Sequence, residues 1–173
     1  MEENKQKQPH KLPKYLKAEP ECINKINQLH SSLISNTLDI YYDCRKNCIP
    51  MHILWTRRTN EEQDLLYKFG RTLPGTILTT KRGGYSPHNY GLAIDFCFKK
   101  GNRFLLYDDI KDYPRYRGFW MDIVFKFESL GWTSGWRWPA FEPGHIENLL
   151  GKTIIEHKNE QYKKDWIDRF GYL

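Results

Sequence analysis

The chain has 173 residues, 39% of them hydrophobic and 15% aromatic, which is enough apolar material for one core and short of the roughly 250 residues at which a core divides. That composition excludes a disordered protein for all but the first dozen or so residues, and no stretch nears the ~20 apolar residues of a membrane span. The net charge of +6 favours an anionic partner, but the Lys and Arg residues are scattered and no Cys/His finger or aromatic RNP segment is present, so nucleic acid is not expected to be that partner.

Residues 1–14, with Pro9, Pro13 and several Lys and Gln, read as a flexible arm. They hold no apolar run of the kind a secretory signal needs, and the chain is expected to be made in the cytoplasm. Ile23, Ile26, Leu29, Leu33 and Ile34 recur three or four apart and predict a helix over 21–35, followed by a second over 37–46. Ile49 to Trp55 reads as a strand in which His52 is a core or edge residue. Thr59 and Glu62 form a capping box for a helix over 60–69 that Gly70 stops. Leu92 to Phe98 is a buried strand with a loop at its mouth, Gly118 to Leu130 a further helix, and Trp132 to Ile146 an aromatic, turn-rich stretch ending in a short strand. Cys22, Cys44, Cys48 and Cys97 contain no CxxC pair and read as thiols rather than disulfides. One domain is expected over 15–150, with a charged extension over 151–173.

Two segments carry chemistry. In Ser86-Pro-His-Asn-Tyr-Gly-Leu-Ala-Ile-Asp, His88 falls in the loop and Asp95 inside the apolar strand. A buried carboxylate needs a metal, an arginine or several N–H donors, and spacing alone leaves a plain salt bridge open. In Glu142-Pro-Gly-His145, Pro-Gly is the preferred central pair of a type II turn, which brings the first and fourth residues within roughly 7 Å; a solvated surface turn is the other reading. Two histidines and an aspartate suit a zinc site with three protein ligands and a fourth position for water, and Glu142 would then be a non-ligating carboxylate beside it.

These segments resemble the M15 peptidases, which include D-alanyl-D-alanine dipeptidases and carboxypeptidases and phage L-alanyl-D-glutamate endopeptidases. The Ser-x-His-x-x-Gly-x-Ala-x-Asp pattern is met by Ser86, His88, Gly91, Ala93 and Asp95. Arg58-Thr59, Glu62-Gln63, Leu66-Tyr67 and Gly70-Arg71-Thr72 are similar to the endolysin branch, with Thr56-Arg57 in place of its usual Gly-Tyr and Ile146 where an aromatic residue is usual.

The resemblance implies a small α+β domain over 15–150, helices packed on a mainly antiparallel sheet, of the hedgehog/D-Ala-D-Ala peptidase-like type. It implies one Zn2+ held by His88, Asp95 and His145, with Glu142 as base and Arg58 steadying the substrate or oxyanion. Ser86, Asn89 and Tyr90 are expected at the substrate, with loop capping the other reading for Ser86 and Asn89, and Trp132, Trp136 and Trp138 either wall a groove or fill the core. The expected substrate is a peptidoglycan stem peptide cut at L-alanyl-D-glutamate, by a monomer released with the help of a holin. A D-alanyl-D-alanine carboxypeptidase and a non-catalytic zinc-containing wall-binding domain are the alternatives.

Overall fold

The computed structural model describes residues 16–170, so the expected N-terminal arm lies outside the described residues. The first difference from expectation comes early: the chain forms α1 (Pro20–Ile26) and α2 (Ser31–Lys46), broken at 27–30 rather than near 36. The apolar stripe runs straight through the break, since Ile26, Leu29 and Leu33 are all buried, so periodicity could not reveal it. A tertiary contact makes the break. The His30 backbone N–H donates to the Gly91 carbonyl at 2.8 Å, and the His30 ring accepts from the Ser32 N–H at 3.3 Å to cap α2.

Gly91 permits this approach. Its φ is +67°, and a Cβ there would stand 2.8 Å from both the Gln28 carbonyl oxygen and the His30 nitrogen. Gly91→Ala is therefore expected to cost about 2–3 kcal/mol, from left-handed strain and from separation of the two surfaces. Urea denaturation checks this, and an unchanged midpoint at unchanged slope would refute it.

Strand β1 (Met51–Trp55) is followed by α3 (Asn60–Lys68), whose expected capping box is present. The Thr59 hydroxyl accepts from the Glu62 N–H at 3.1 Å, and the Glu62 carboxylate accepts from the Thr59 N–H at 2.7 Å. A 3-10 turn over Pro87–Tyr90 leads into β2 (Ala93–Lys100), then β3 (Arg103–Leu105) and the short α4 (Tyr107–Ile110). Helix α5 (Pro114–Glu128) begins four residues before the expected start because Pro114 stands in its first turn, where a missing N–H costs nothing. Strands β4 (Thr133–Ser134) and β5 (His145–Glu147) precede α6 (Ile154–Phe170).

The sheet is antiparallel in order β1-β2-β5-β4, with β3 also on β2. β2 is its centre: β5 pairs with residues 93–95 and β3 with 98–100, while β1 runs along the other edge with a bulge between Ile53 and Trp55. Phe96 and Phe98 pack on Trp120 of α5, with ring centroids 4.6 and 5.1 Å apart. By strand alternation Asp95 and Cys97 face the other way. This is the expected α+β class, with six α-helices among the described residues.

None of the four cysteines is in a disulfide; Cys22, Cys44 and Cys97 are buried. Helix α6, from the extension expected over 151–173, lies against the loop that carries His88. Its buried His157 stacks on Tyr90 at 5.9 Å between centroids and donates to the Leu149 carbonyl at 2.9 Å. Among the described residues no helix is long and apolar enough to cross a membrane.

Candidate metal centre and active site

Asp95 and His145 are register partners across β2 and β5, so their side chains rise side by side from one face. The 3-10 turn swings His88 over the same point. His88 Nε2 lies 3.3 Å from Asp95 Oδ2 and 3.4 Å from His145 Nδ1, and His145 Nδ1 lies 3.0 Å from Asp95 Oδ1. Ligand atoms bonded to one zinc at about 2.0–2.2 Å in a tetrahedron stand roughly 3.3–3.6 Å apart, so the two ring nitrogens and the Asp95 carboxylate suit such an ion with little movement.

The remaining ring nitrogens support that arrangement. His88 Nδ1 donates to the Thr56 carbonyl at 2.6 Å, and His145 Nε2 donates to the Glu147 carboxylate at 3.1 Å. Each ring thus turns a lone pair towards the cluster, as metal-ligating histidines do. Neither partner was singled out from sequence. Glu147 carried a signal, since it stands two residues from His145 on a strand and must share its face; Thr56 carried none, because it acts through its backbone.

Burial opposes a charge on His145, but its bonds to Asp95 and Glu147 outweigh this and push it up to about 9. Burial also opposes the Asp95 carboxylate, and the charges of His88 and His145 overcome it, holding Asp95 well below the usual carboxylate range. In the metal-free protein the stabilisation from His145 is full below its ordinary 6.5 and fades as pH rises through about 9. A metal must displace that proton. Apparent metal affinity should therefore fall about tenfold per pH unit as pH drops below about 9, as read by chelator competition; a flat profile would remove the shared proton.

Arg58 approaches from beneath. One terminal amino group donates to Asp95 Oδ2 and the other to the Gln63 side-chain oxygen at 3.2 Å. Gln63 is fully buried on α3 and donates in turn to Thr79 Oγ1 at 3.3 Å and to the Lys81 carbonyl at 2.9 Å, which ties the arginine to one wall of the cavity. Arg57 is exposed and faces a different groove.

The cluster opens into a cavity of about 750 Å³ lined by Trp55, Arg58, Lys81, Ser86, Trp138 and Glu142, among others. Four carboxylates border it: Asp95, Asp108, Glu142 and Glu147. Asp95 is taken by Arg58 and the histidines, Glu147 by His145, and Asp108 by Lys111 at 3.2 Å. Glu142 alone of these four has no bonded partner for its carboxylate among the described residues. Its backbone is fixed nonetheless, the N–H donating to the Gly135 carbonyl and the C=O accepting from the His145 N–H, both at 3.0 Å. The turn is closed as expected but is not type II, because the φ of Gly144 is not positive. Glycine is needed there for a different reason: a Cβ would lie 2.8 Å from the Phe96 carbonyl oxygen.

Two of the three residues expected at the substrate do other work. Asn89 is buried and spends its amide on the backbone, accepting from the Gly84 and Ser86 N–H groups and donating to the Arg58 and Thr59 carbonyls, all at 3.0–3.2 Å. Tyr90 turns away from the cavity, donating to the Gly84 carbonyl at 2.9 Å and stacking on His157. Ser86 does border the cavity. The tryptophans divide: Trp132 is buried against Phe127, Trp136 packs on Tyr107 and Phe141, and Trp138 stands beside His145 at 5.2 Å between rings.

Known proteins resemble the chain over the segment that carries the cluster. Residues 79–148 match a family model of the M15 peptidases described as D-alanyl-D-alanine carboxypeptidase. The chain is 41% identical over 94 residues to peptidoglycan L-alanyl-D-glutamate endopeptidase CwlK of Bacillus subtilis (strain 168), a match spanning 53% of this chain and 56% of that protein. The chain thus covers just over half the length of that relative. The crystal structure of the L-Ala D-Glu endopeptidase ChiX of Serratia marcescens superposes with a TM-score of 0.51 at 13% identity, over 80% of this chain and 91% of that one, and shares the fold. Residues 79–148, the segment that matches the M15 peptidase family model, contain His88, Asp95 and His145.

Proposed function

We propose that the protein is a zinc-dependent peptidase of the bacterial cell wall that hydrolyses an amide bond of the peptidoglycan stem peptide, most specifically L-alanyl-D-glutamate. The observation that carries the catalytic part is the unpartnered Glu142 carboxylate on the wall of the cavity over the His88–Asp95–His145 cluster. The choice of bond rests on the likeness to the endopeptidase CwlK.

In this reading His88 Nε2, Asp95 and His145 Nδ1 hold the zinc, with Thr56 and Glu147 fixing the two rings. Zinc bound there supplies Lewis acidity and lowers the pKa of a coordinated water towards 7. Glu142 takes the proton from the attacking water and returns it to the leaving amine, a task that needs a carboxylate not already engaged. Arg58 holds Asp95 in place and, with two of its five N–H groups used, has donors left for the oxyanion. Trp138 and Trp55 flank the opening and can bracket the peptide. The basic chain suits an anionic wall, and action as an endolysin is part of the proposal.

The test is mass spectrometry of fragments released from purified peptidoglycan, with and without a chelator and with zinc restored. New N-terminal D-glutamyl ends that vanish with chelator are expected. Free D-alanine would move the assignment to the carboxypeptidase reaction that the family model describes, and no release with any metal would leave a wall-binding domain.

A further inference from the structure

A second cluster of metal-ligating side chains lies away from the cavity, where α1 crosses β1. Glu19 precedes α1, Cys22 lies in its first turn, and His52 is on β1. His52 Nδ1 stands 2.8 Å from Glu19 Oε2 and 3.4 Å from Cys22 Sγ, and Cys22 Sγ stands 4.0 Å from the same Glu19 oxygen. Cys22 and His52 are both fully buried. We propose that Glu19, Cys22 and His52 form a second zinc site that clips α1 to the edge of the sheet.

The distances suit the chemistry. Zinc bonds of about 2.3 Å to sulfur and 2.0–2.2 Å to nitrogen and oxygen put tetrahedral ligand atoms roughly 3.3–3.6 Å apart. Moving only the partly exposed Glu19 carboxylate by about 1 Å brings all three separations into that range. A thiolate, an imidazole and a carboxylate together form a borderline-soft set that favours zinc over calcium or magnesium.

The residue choice is also costly for packing alone. His52 Nε2 is one of two buried side-chain N or O atoms among the described residues that have no hydrogen-bond partner. That nitrogen lies opposite the proposed ligand atom and keeps the ring proton; what suits His52 to a metal is Nδ1, which is turned to Glu19 and Cys22.

Glu19 has cationic neighbours, and they leave room for the ion. Arg45 holds the other oxygen, Oε1, at 3.4 Å, so that contact survives metal binding at Oε2. Lys99 meets Oε2 at 3.1 Å with a quarter of its side chain exposed, and can swing into water. The consequence reaches the first cluster through hydrogen bonds: Thr56 donates its hydroxyl to the Lys25 carbonyl of α1 at 2.7 Å and accepts from His88 at its own carbonyl. A clip on α1 therefore steadies the strand end that orients His88.

Cobalt substitution separates the two sites, because only the second contains sulfur. The full chain loaded with Co2+ should take up a second equivalent and show a near-ultraviolet thiolate-to-cobalt charge-transfer band. Cys22→Ser and His52→Gln should each lose the band and one equivalent of metal while still releasing wall peptide. Asp95→Asn should keep the band, so the proposal stands or falls apart from the catalytic reading. Each variant is first checked for native circular dichroism, and Glu19→Gln replaces any that fails to fold. No band in the wild-type chain, or a band that survives in folded Cys22→Ser, overturns the second site.

Discussion

Glu142→Gln is expected to lower the rate of wall-peptide hydrolysis by about 10²–10⁴-fold while zinc remains bound with unchanged affinity. The amide keeps the shape and the backbone anchors to Gly135 and His145, so the turn that presents residue 142 should persist. What is lost is a group able to accept a proton. The other carboxylates around the cavity cannot take over, since Asp95, Glu147 and Asp108 are already bonded to Arg58 and the histidines, to His145 and to Lys111. Single-turnover hydrolysis together with zinc stoichiometry reads both halves of the expectation. Retained activity would remove the base from Glu142, whereas lost zinc would recast it as a ligand. Glu147→Gln offers the contrast: it should weaken zinc binding by about 10–100-fold and leave turnover of the loaded enzyme closer to normal.

The candidate metal cluster was legible because its parts are local. Asp95 lies seven positions after His88, and a turn followed by a strand is enough to predict that one lies in a loop and the other on a buried face. Glu142 and His145 were tied by a turn whose closure was foreseen though its type was not. The supporting parts were less visible, for two physical reasons. Thr56 works through a carbonyl, which any residue would supply, and an amide beside a metal motif reads equally as a substrate ligand or a loop cap until the four backbone partners of Asn89 are seen. The helix break at 27–30 and the meeting of Glu19, Cys22 and His52 both depend on contacts across some 30 to 60 residues, where hydrophobic periodicity says nothing.

Asp95→Asn tests whether the centre of the site is electrostatic as well as coordinating. The variant should lose zinc affinity by more than the roughly 100-fold that an outer partner costs, because a charged ligand is removed. It should also destabilise the metal-free protein by about 3–5 kcal/mol at neutral pH, since Arg58 is left without its carboxylate. The gap in stability should depend on pH in a defined way. Asp95 is held below its ordinary 3.8, so its contribution is complete above that value and is lost as pH falls below it, and the gap closes in acid. His145 is raised to about 9, so its share is complete below 6.5 and is lost as pH rises through 9; there the gap narrows without closing, because Arg58 stays charged. Urea denaturation of both zinc-free proteins across this range is the measurement. Equal stability throughout would mean that Asp95 is no more than a ligand, while a gap that widened in acid would contradict the ion pair itself.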